Sequence, residues 1–571
     1  MTTGSQVPSH RIQARLTSLY GPERAAGLVS RVLNLIDAHR VPARGQWSER
    51  DAVLITYGGT VTRRGEAPLA TLTAFVREHL GDAFSCVHIL PFFPYSSDDG
   101  FAVVDYRRVD PMLGTWEDVD RLAARVDLMM DLVLNHVSSR SEWFKQFLGQ
   151  ALPGKDYFIE VCPDSDVSQV VRPRTHPLVL SYHTENGPKE VWATFSEDQI
   201  DLNFDNPDVL LEMLSVLLLY VQRKARMVRL DAVAFLWKRI GTSCIHLPET
   251  HEVVKLMRDV VEAAAPGTIL LTETNVPHVE NVSYFGKSDE AHMVYQFSLP
   301  PLLLHALHRG SSHYLTEWAM ELESAPPGCT FLNFTASHDG IGMRPAEGIL
   351  PQAEIDLLVG GMARFGGYTS ARSLGGGRKA VYELNITYFD ALKGTADGVD
   401  EHQVARFICS QLVAISLQGI PAVYVQSLLA SHCDHEAVDQ TGHLRAVNRR
   451  RWSYDDVSQR LEDPYQAACQ ITQAVRHALH TRRRHAAFHP EAPQRVHRMG
   501  DHVFVFERGP FGPSNDHVLV VANMTRQLQT VFIPETAASE GDPQQLLVDA
   551  PLDPDTRRIE LGRYQVAWVS L

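Results

Sequence analysis

A chain of 571 residues is too long for one small core and has room for a large central domain with smaller ones attached. Apolar residues at 44% and charged ones at 21% describe an ordinary globular composition, and a net charge of -15 argues against nucleic acid or an anionic membrane as a partner. Seven cysteines, an odd number without CxxC spacing, exclude a disulfide framework and point to a reduced, cytoplasmic protein.

The opening MTTGSQVPSHRIQARL has no apolar core of signal-peptide length, and no stretch reaches the roughly 18 apolar residues of a membrane span. Within residues 1–50, ERAAGLVSRVLNLIDAHR places apolar residues at helical spacing and predicts a helical N-terminal extension. From residue 51, strand-like and helix-like runs alternate. The strand-like ones are DAVLITYGG, FSCVHILPFF, DLMMDLVLNH, RMVRLDAVAF, TILLTETN, EAHMVYQFSL, CTFLNFTASHD and GIPAVYVQSLL. Most are apolar on both faces, as buried parallel strands are when helices cover them. Eight such runs predict an α/β fold, a (β/α)8 TIM barrel built from residues 51–136 and 201–480. No GxGxxG follows the first strand, which removes the usual reason to prefer a dinucleotide-binding sheet.

Two gaps break the rhythm. Residues 137–200, after the third strand, are too long for a bare loop and predict a small inserted domain, with YFIEV, LVLSY and VWATF as strand candidates. Residues 340–395, after the seventh, contain GGYTSARSLGGGRK and predict a mobile loop or small insertion. Residues 485–571 carry short alternating runs between turn residues, predicting a C-terminal antiparallel β-domain.

Barrel enzymes place their chemistry at the carboxyl ends of strands. Asp231 stands there with Arg229 two residues earlier, on the same side of an extended strand, so Arg229 is expected to hold Asp231 ionised as a nucleophile. A plain structural Arg–Asp pair would use the same two residues. Glu273, one strand later, suits a partly buried general acid. Retaining sugar transfer needs two carboxyl groups roughly 5–5.5 Å apart, which neighbouring strand ends can supply. Asp339 follows His338 and supplies a third acid, able to grip sugar hydroxyls as the ring flattens. Asp98, Asp99, Asp131, Asn135 and His136 lie at other strand ends. Arg172, Arg174, Arg344, Arg449, Arg450 and Arg451 form the basic inventory, suited to carboxylate or phosphate, although charge runs are commonly solvated faces. The cluster SHCDHE has residues too close together to converge on one metal ion.

DLVLNH, RLDAV, the TE of LLTETN and SHD resemble, in order, the four recurrent regions of the alpha-amylase superfamily over residues 51–480. ITY, PFFPYSSDDGFAVVDYRRVD, RLDAVAFLWKRIGTSC, YQFSLPPLLLHAL and AVNRRRW are similar to sucrose phosphorylase and its relatives. That resemblance implies Asp231 as nucleophile, Glu273 as acid/base and Asp339 as transition-state stabiliser. It implies Asp98, His136, Arg229, His338 and Arg449 around the glucosyl group, Phe195 beside the donor subsite, and Arg174 on phosphate or the acceptor. It further implies double displacement from an α-glucoside to inorganic phosphate, no cofactor, no metal, and a monomer or homodimer. Phe235 replaces the tyrosine that follows the nucleophile in sucrose phosphorylases, Arg344 enters the loop after Asp339, and the front end is longer. These departures point to 2-O-α-glucosyl-D-glycerate as substrate, its anionic aglycone pairing with Arg344. Sucrose, sucrose 6-phosphate and glucosylglycerol phosphorolysis are alternatives, as is hydrolysis or transglucosylation of α-glucans.

Overall fold

The computed structural model describes residues 9–373, 379–509, 516–534, 544–547, 552–553 and 555–571. Eight parallel strands close a barrel: β1 (Val53–Thr56), β2 (Cys86–Ile89), β3 (Asp127–Val133), β4 (Ala225–Asp231), β5 (Ile269–Thr272), β6 (Met293–Tyr295), β7 (Thr330–Asn333) and β8 (Ile420–Tyr424). They run in sequence order around the ring, with β8 beside β1, and fall on the eight apolar runs of the sequence, β4 starting one residue before its run. Most of their residues are buried, because side chains fill the interior and helices cover the outside. The helix Pro207–Gln222 shows how local sequence sets this up. Asn206 accepts the Asp208 backbone N–H, Pro207 occupies the first turn, and ten apolar side chains from Val209 to Val221 are buried.

The barrel interior is not wholly apolar. Asp131 on β3 pairs in register with Arg229 on β4, so the two side chains sit at one height. Arg229 Nη1 donates to Asp131 Oδ1 at 2.5 Å, and His88 Nε2 on β2 lies 2.6 Å from Asp131 Oδ2. Three adjacent strands are thereby tied by one buried polar chain, and its carboxyl-end member carries the site.

Helix Ser9–Ala38 runs through the predicted N-terminal helical stretch, broken at Gly21, whose φ of 78° no other residue adopts cheaply. Arg11 and Arg15 on it both reach Asp259 on the barrel helix Pro248–Ala264. In the stretch after β3, strands Val179–Thr184 and Gly187–Trp192 form a hairpin. YFIEV, read as a strand, makes only isolated bridges, Phe158 to Leu202 and Glu160 to Val191. After β7, Ile341–Gly342, Tyr368–Ser373 and Lys379–Asn385 form a three-stranded antiparallel sheet, so part of the glycine-rich stretch is paired; residues 374–378 lie outside the described residues.

The C-terminal part contains a five-stranded and a three-stranded antiparallel sheet. It is fastened to the barrel helix Gln403–Ser416: Trp568 Nε1 donates to Ser416 Oγ at 2.8 Å and Arg508 to the Ser416 carbonyl at 2.9 Å.

Candidate active site

Asp231 is the last residue of β4 and Glu273 the first after β5, so two carboxyls emerge side by side at one barrel mouth. Arg229 Nη1 donates to Asp231 Oδ1 at 2.7 Å, and its Nη2 lies 4.0 Å from Glu273 Oε2. The backbone N–H of Ala232 donates to Glu273 Oε2 at 2.9 Å. Ala232 aims that N–H from a left-handed conformation, φ 51°, which alanine rarely adopts and which costs on the order of 1 kcal/mol or more. Asp98 and Asp99, at φ 50° and 46°, add two further left-handed residues at the mouth.

Arg229 lowers the Asp231 pKa as expected, but the expectation that it thereby holds Asp231 ionised is corrected by the net balance. Burial comes first and pushes the Asp231 carboxyl up to about 8; Arg229 opposes it but is shared with Asp131, and the charges of Glu273 and Asp131 act in the same direction as burial. Burial also raises Glu273, against the pull of Arg229. Burial thus favours a proton held jointly by the two carboxyls, which titrate as one pair.

Asp339 lies six residues past the end of β7, further from its strand than the other two acids. Enclosure alone would raise its pKa, but Arg445 first, with Arg229 and Arg449 behind it, holds it well below the usual carboxylate range. Arg445 Nη1 is 2.6 Å from Asp339 Oδ1. His338 stacks on Phe101 with centroids 4.7 Å apart and planes at 5°, and meets Tyr57 edge-on at 6.0 Å. Burial pushes its imidazole down to about 3, so the ring is neutral and can donate from one nitrogen and accept at the other.

Arg449 Nη1 donates to Asp98 Oδ1 at 3.2 Å and Asp99 Oδ2 at 2.7 Å, while its Nε donates to the His338 carbonyl at 3.0 Å. Asp98 is held low by Arg449, Arg445 and Arg174, although enclosure opposes its ionisation. His136 is buried, its Nε2 3.0 Å from the Phe101 carbonyl, and its ring faces Phe195 at 5.1 Å. Arg174 lies over the Tyr382 ring at 5.4 Å and shares a cleft with Asp98, Phe195 and Arg445. Arg344 donates to Glu280 at 3.2 Å in a hollow beside Glu273. Of the residues singled out in the sequence, Asp98, Arg174 and Phe195 share one cleft, Phe195, Glu273 and Arg344 share the hollow beside it, and Arg229 and Arg449 bind Asp231 and Asp98, while Arg450 turns to Asp434 at 3.4 Å and lies over the Trp452 ring.

Arg445, Tyr57, Phe101 and Arg372 were missed, and Arg172 was seen only as part of a basic pair. Arg445 had one available signal: it lies four residues before Arg449, within the loop that closes on Asp339.

Among the described residues, no group of three or more His, Cys, Asp or Glu is arranged to hold a metal ion. The residues of SHCDHE diverge: His432 turns to Asp390 at 2.7 Å, Asp434 caps a helix, and His435 lies 3.0 Å from the Tyr368 hydroxyl. Beside the site, the Lys238 ammonium lies 2.7 Å from both Asn135 Oδ1 and Asp201 Oδ2, so a side chain supplies the charge that buried Asp201 needs.

Residues 80–324 match the family model for the alpha-amylase catalytic domain. A glucosylglycerate phosphorylase of Spirochaeta thermophila is 44% identical over 99% of this chain and 99% of its own. The chain belongs to the alpha-amylase superfamily, in its glycoside phosphorylase branch. A second glucosylglycerate phosphorylase, from Allomeiothermus silvanus, is 47% identical over 85% of this chain and 88% of its own. Among solved structures, sucrose 6F-phosphate phosphorylase from Thermoanaerobacter thermosaccharolyticum superposes with a TM-score of 0.72 at 25% identity, covering 83% of this chain and 94% of that one. The superfamily barrel is therefore present here with its mouth lined by three acids and at least six arginines. No described helix is long and apolar enough to cross a membrane.

Proposed function

We propose that this protein catalyses retaining phosphorolysis of 2-O-α-glucosyl-D-glycerate to α-D-glucose 1-phosphate and D-glycerate. Asp231 attacks the anomeric carbon as the bond to the glycerate oxygen breaks, and Glu273 gives that oxygen its proton. Inorganic phosphate then attacks the glucosyl ester from the vacated side, Glu273 takes the phosphate proton, and Asp231 leaves. Two inversions give net retention.

The arrangement that carries this reading is the shared environment of Asp231 and Glu273. Their common burial keeps one proton on the pair. Glu273 Oε2 is engaged by the Ala232 N–H and faces Arg229, which leaves Oε1 to carry the proton toward the leaving group. Asp339, held ionised by Arg445, faces the positive charge that develops on the sugar ring. His136, His338, Asp98 and Arg449 surround the glucosyl group with donors and acceptors. Arg344, beside Glu273, supports an anionic aglycone.

The test is a panel of α-glucosides with phosphate, reading glucose 1-phosphate. Glucosylglycerate should exceed sucrose, sucrose 6-phosphate and glucosylglycerol in kcat/KM. Comparable rates on sucrose would overturn the substrate assignment, and glucose release independent of phosphate would overturn phosphorolysis.

A further inference from the structure

The hollow beside Glu273 receives three arginines from three separate segments: Arg172 from between β3 and β4, Arg344 from after β7, and Arg372 from the strand Tyr368–Ser373. Phe195 and Phe235, edge-to-face at 5.4 Å, line an aromatic wall of the same hollow. Two of the arginines are tethered to partly exposed acids. Arg344 donates to Glu280 at 3.2 Å, and Arg372 Nη2 to both Glu347 oxygens at 2.9 and 3.0 Å. These tethers leave donors over. Arg172 Nη2 and Arg372 Nε are buried and have no hydrogen-bond partner among the described residues.

Buried guanidinium N–H groups without acceptors are costly, and a cluster of them beside an apolar wall calls for an anion with several oxygens. Glucosylglycerate supplies one at the required place. Its carboxylate is borne by the same carbon as the glycosidic oxygen, so it lies two bonds from the atom that Glu273 protonates. Phosphate attacking the same anomeric carbon from the same side brings its charged oxygens equally near Glu273.

We infer that Arg172 and Arg372, together with Arg344, form one anion site that takes the aglycone carboxylate in the first half-reaction and phosphate in the second. This rests on the proposed function. Glu280 and Glu347 orient the arginines and keep the empty site from being a bare cationic cluster. Phe235 keeps the wall apolar, so the guanidinium groups are turned to the ligand and not to a neighbouring hydroxyl.

The experiment compares wild type with Arg172→Ala and Arg372→Ala on glucosylglycerate and on glucosylglycerol, which replaces the carboxylate by a neutral CH2OH. Each variant should raise KM for glucosylglycerate by roughly 10- to 100-fold, and at least about tenfold more than KM for glucosylglycerol. KM for phosphate, measured with glucosylglycerol, should rise in the same variants. Turnover of glucosylglycerol at saturating phosphate reports that each variant is folded, and Arg172→Lys and Arg372→Lys, which keep charge but lose the planar fork, should recover only part of the loss. Equal KM shifts for the two glucosides would overturn the carboxylate site, and an unmoved phosphate KM would overturn its shared use. A wild type that does not prefer glucosylglycerate to glucosylglycerol would instead sink the substrate assignment, a separate result.

Discussion

Arg445 joins Asp339 to Glu383: its Nη1 is 2.6 Å from Asp339 Oδ1, while its Nη2 and Nε donate to Glu383 at 2.5 and 3.1 Å. Glu383 is buried on the strand Lys379–Asn385, so the small sheet after β7 helps fix the charge of an acid at the barrel mouth.

Replacing Arg445 with Met should move the acid limb of the kcat/KM profile to higher pH. Arg445 is the leading cause that lowers Asp339; without it the folded-state pKa rises, and the ionised form is lost sooner as pH falls. A shift of about one pH unit or more is expected. An unmoved limb would show that Asp339 is held ionised by its other neighbours.

Asp231 makes stability depend on pH in the opposite sense to most acids. Shared burial raises it together with Glu273 above the unfolded carboxylate value near 4, Asp231 to about 8, so the folded pair holds one extra proton between those limits. That contribution is complete below about pH 4 and is lost as pH rises toward 8. Asp231→Asn, which cannot ionise, should therefore melt increasingly above wild type across this window. A constant difference in Tm from pH 4 to 8 would refute the raised value.

Lys238→Met should destabilise the protein by about 3–5 kcal/mol, since it strands a buried carboxylate. Asp201 also accepts the Thr194 N–H at 2.7 Å and its hydroxyl at 2.6 Å, so the loosening should spread into the segment before β4. Denaturant titration gives the first quantity, and proteolysis within residues 137–200 the second. A loss under about 1 kcal/mol, the size of an exposed pair, would count against the buried pairing.

Arg449→Lys keeps the charge but cannot reach Asp98, Asp99 and the His338 carbonyl together. A fall in kcat/KM of roughly 100-fold is expected if these contacts shape the glucosyl subsite, with glucosylglycerate and glucosylglycerol equally affected. A selective loss on the anionic substrate would place Arg449 on the aglycone side.

The barrel was legible because its determinants are local. A strand buried on both faces must be apolar along its whole length, and RMVRLDAV or TILLTE states this without any distant partner. Asp231, Glu273 and Arg229 were legible for the same reason: they sit at or beside strand ends, whose positions around a closed ring follow from chain order. Asp339, six residues beyond its strand, owed more to its motif than to periodicity.

The sign of the Asp231 shift was read wrongly because it is a balance. One arginine seen two residues away suggests a lowered pKa; the registered neighbour Asp131, invisible from β4 alone, shares that arginine. Arg445 and Arg372 lie 106 and 33 residues beyond Asp339, and Arg172 lies 101 residues before Glu273. Arg172 stands in a basic pair and Arg445 near Arg449, but nothing in their own segments says which acid each one faces.

By itself, then, the sequence determined the barrel and the three acids, since the period of buried strands and the placement of residues at their ends are local properties. The tertiary structure decided which arginines face those acids and in which direction their protons shift. Charge interaction depends on distance and burial, and both are set by loops returning to the mouth from far along the chain.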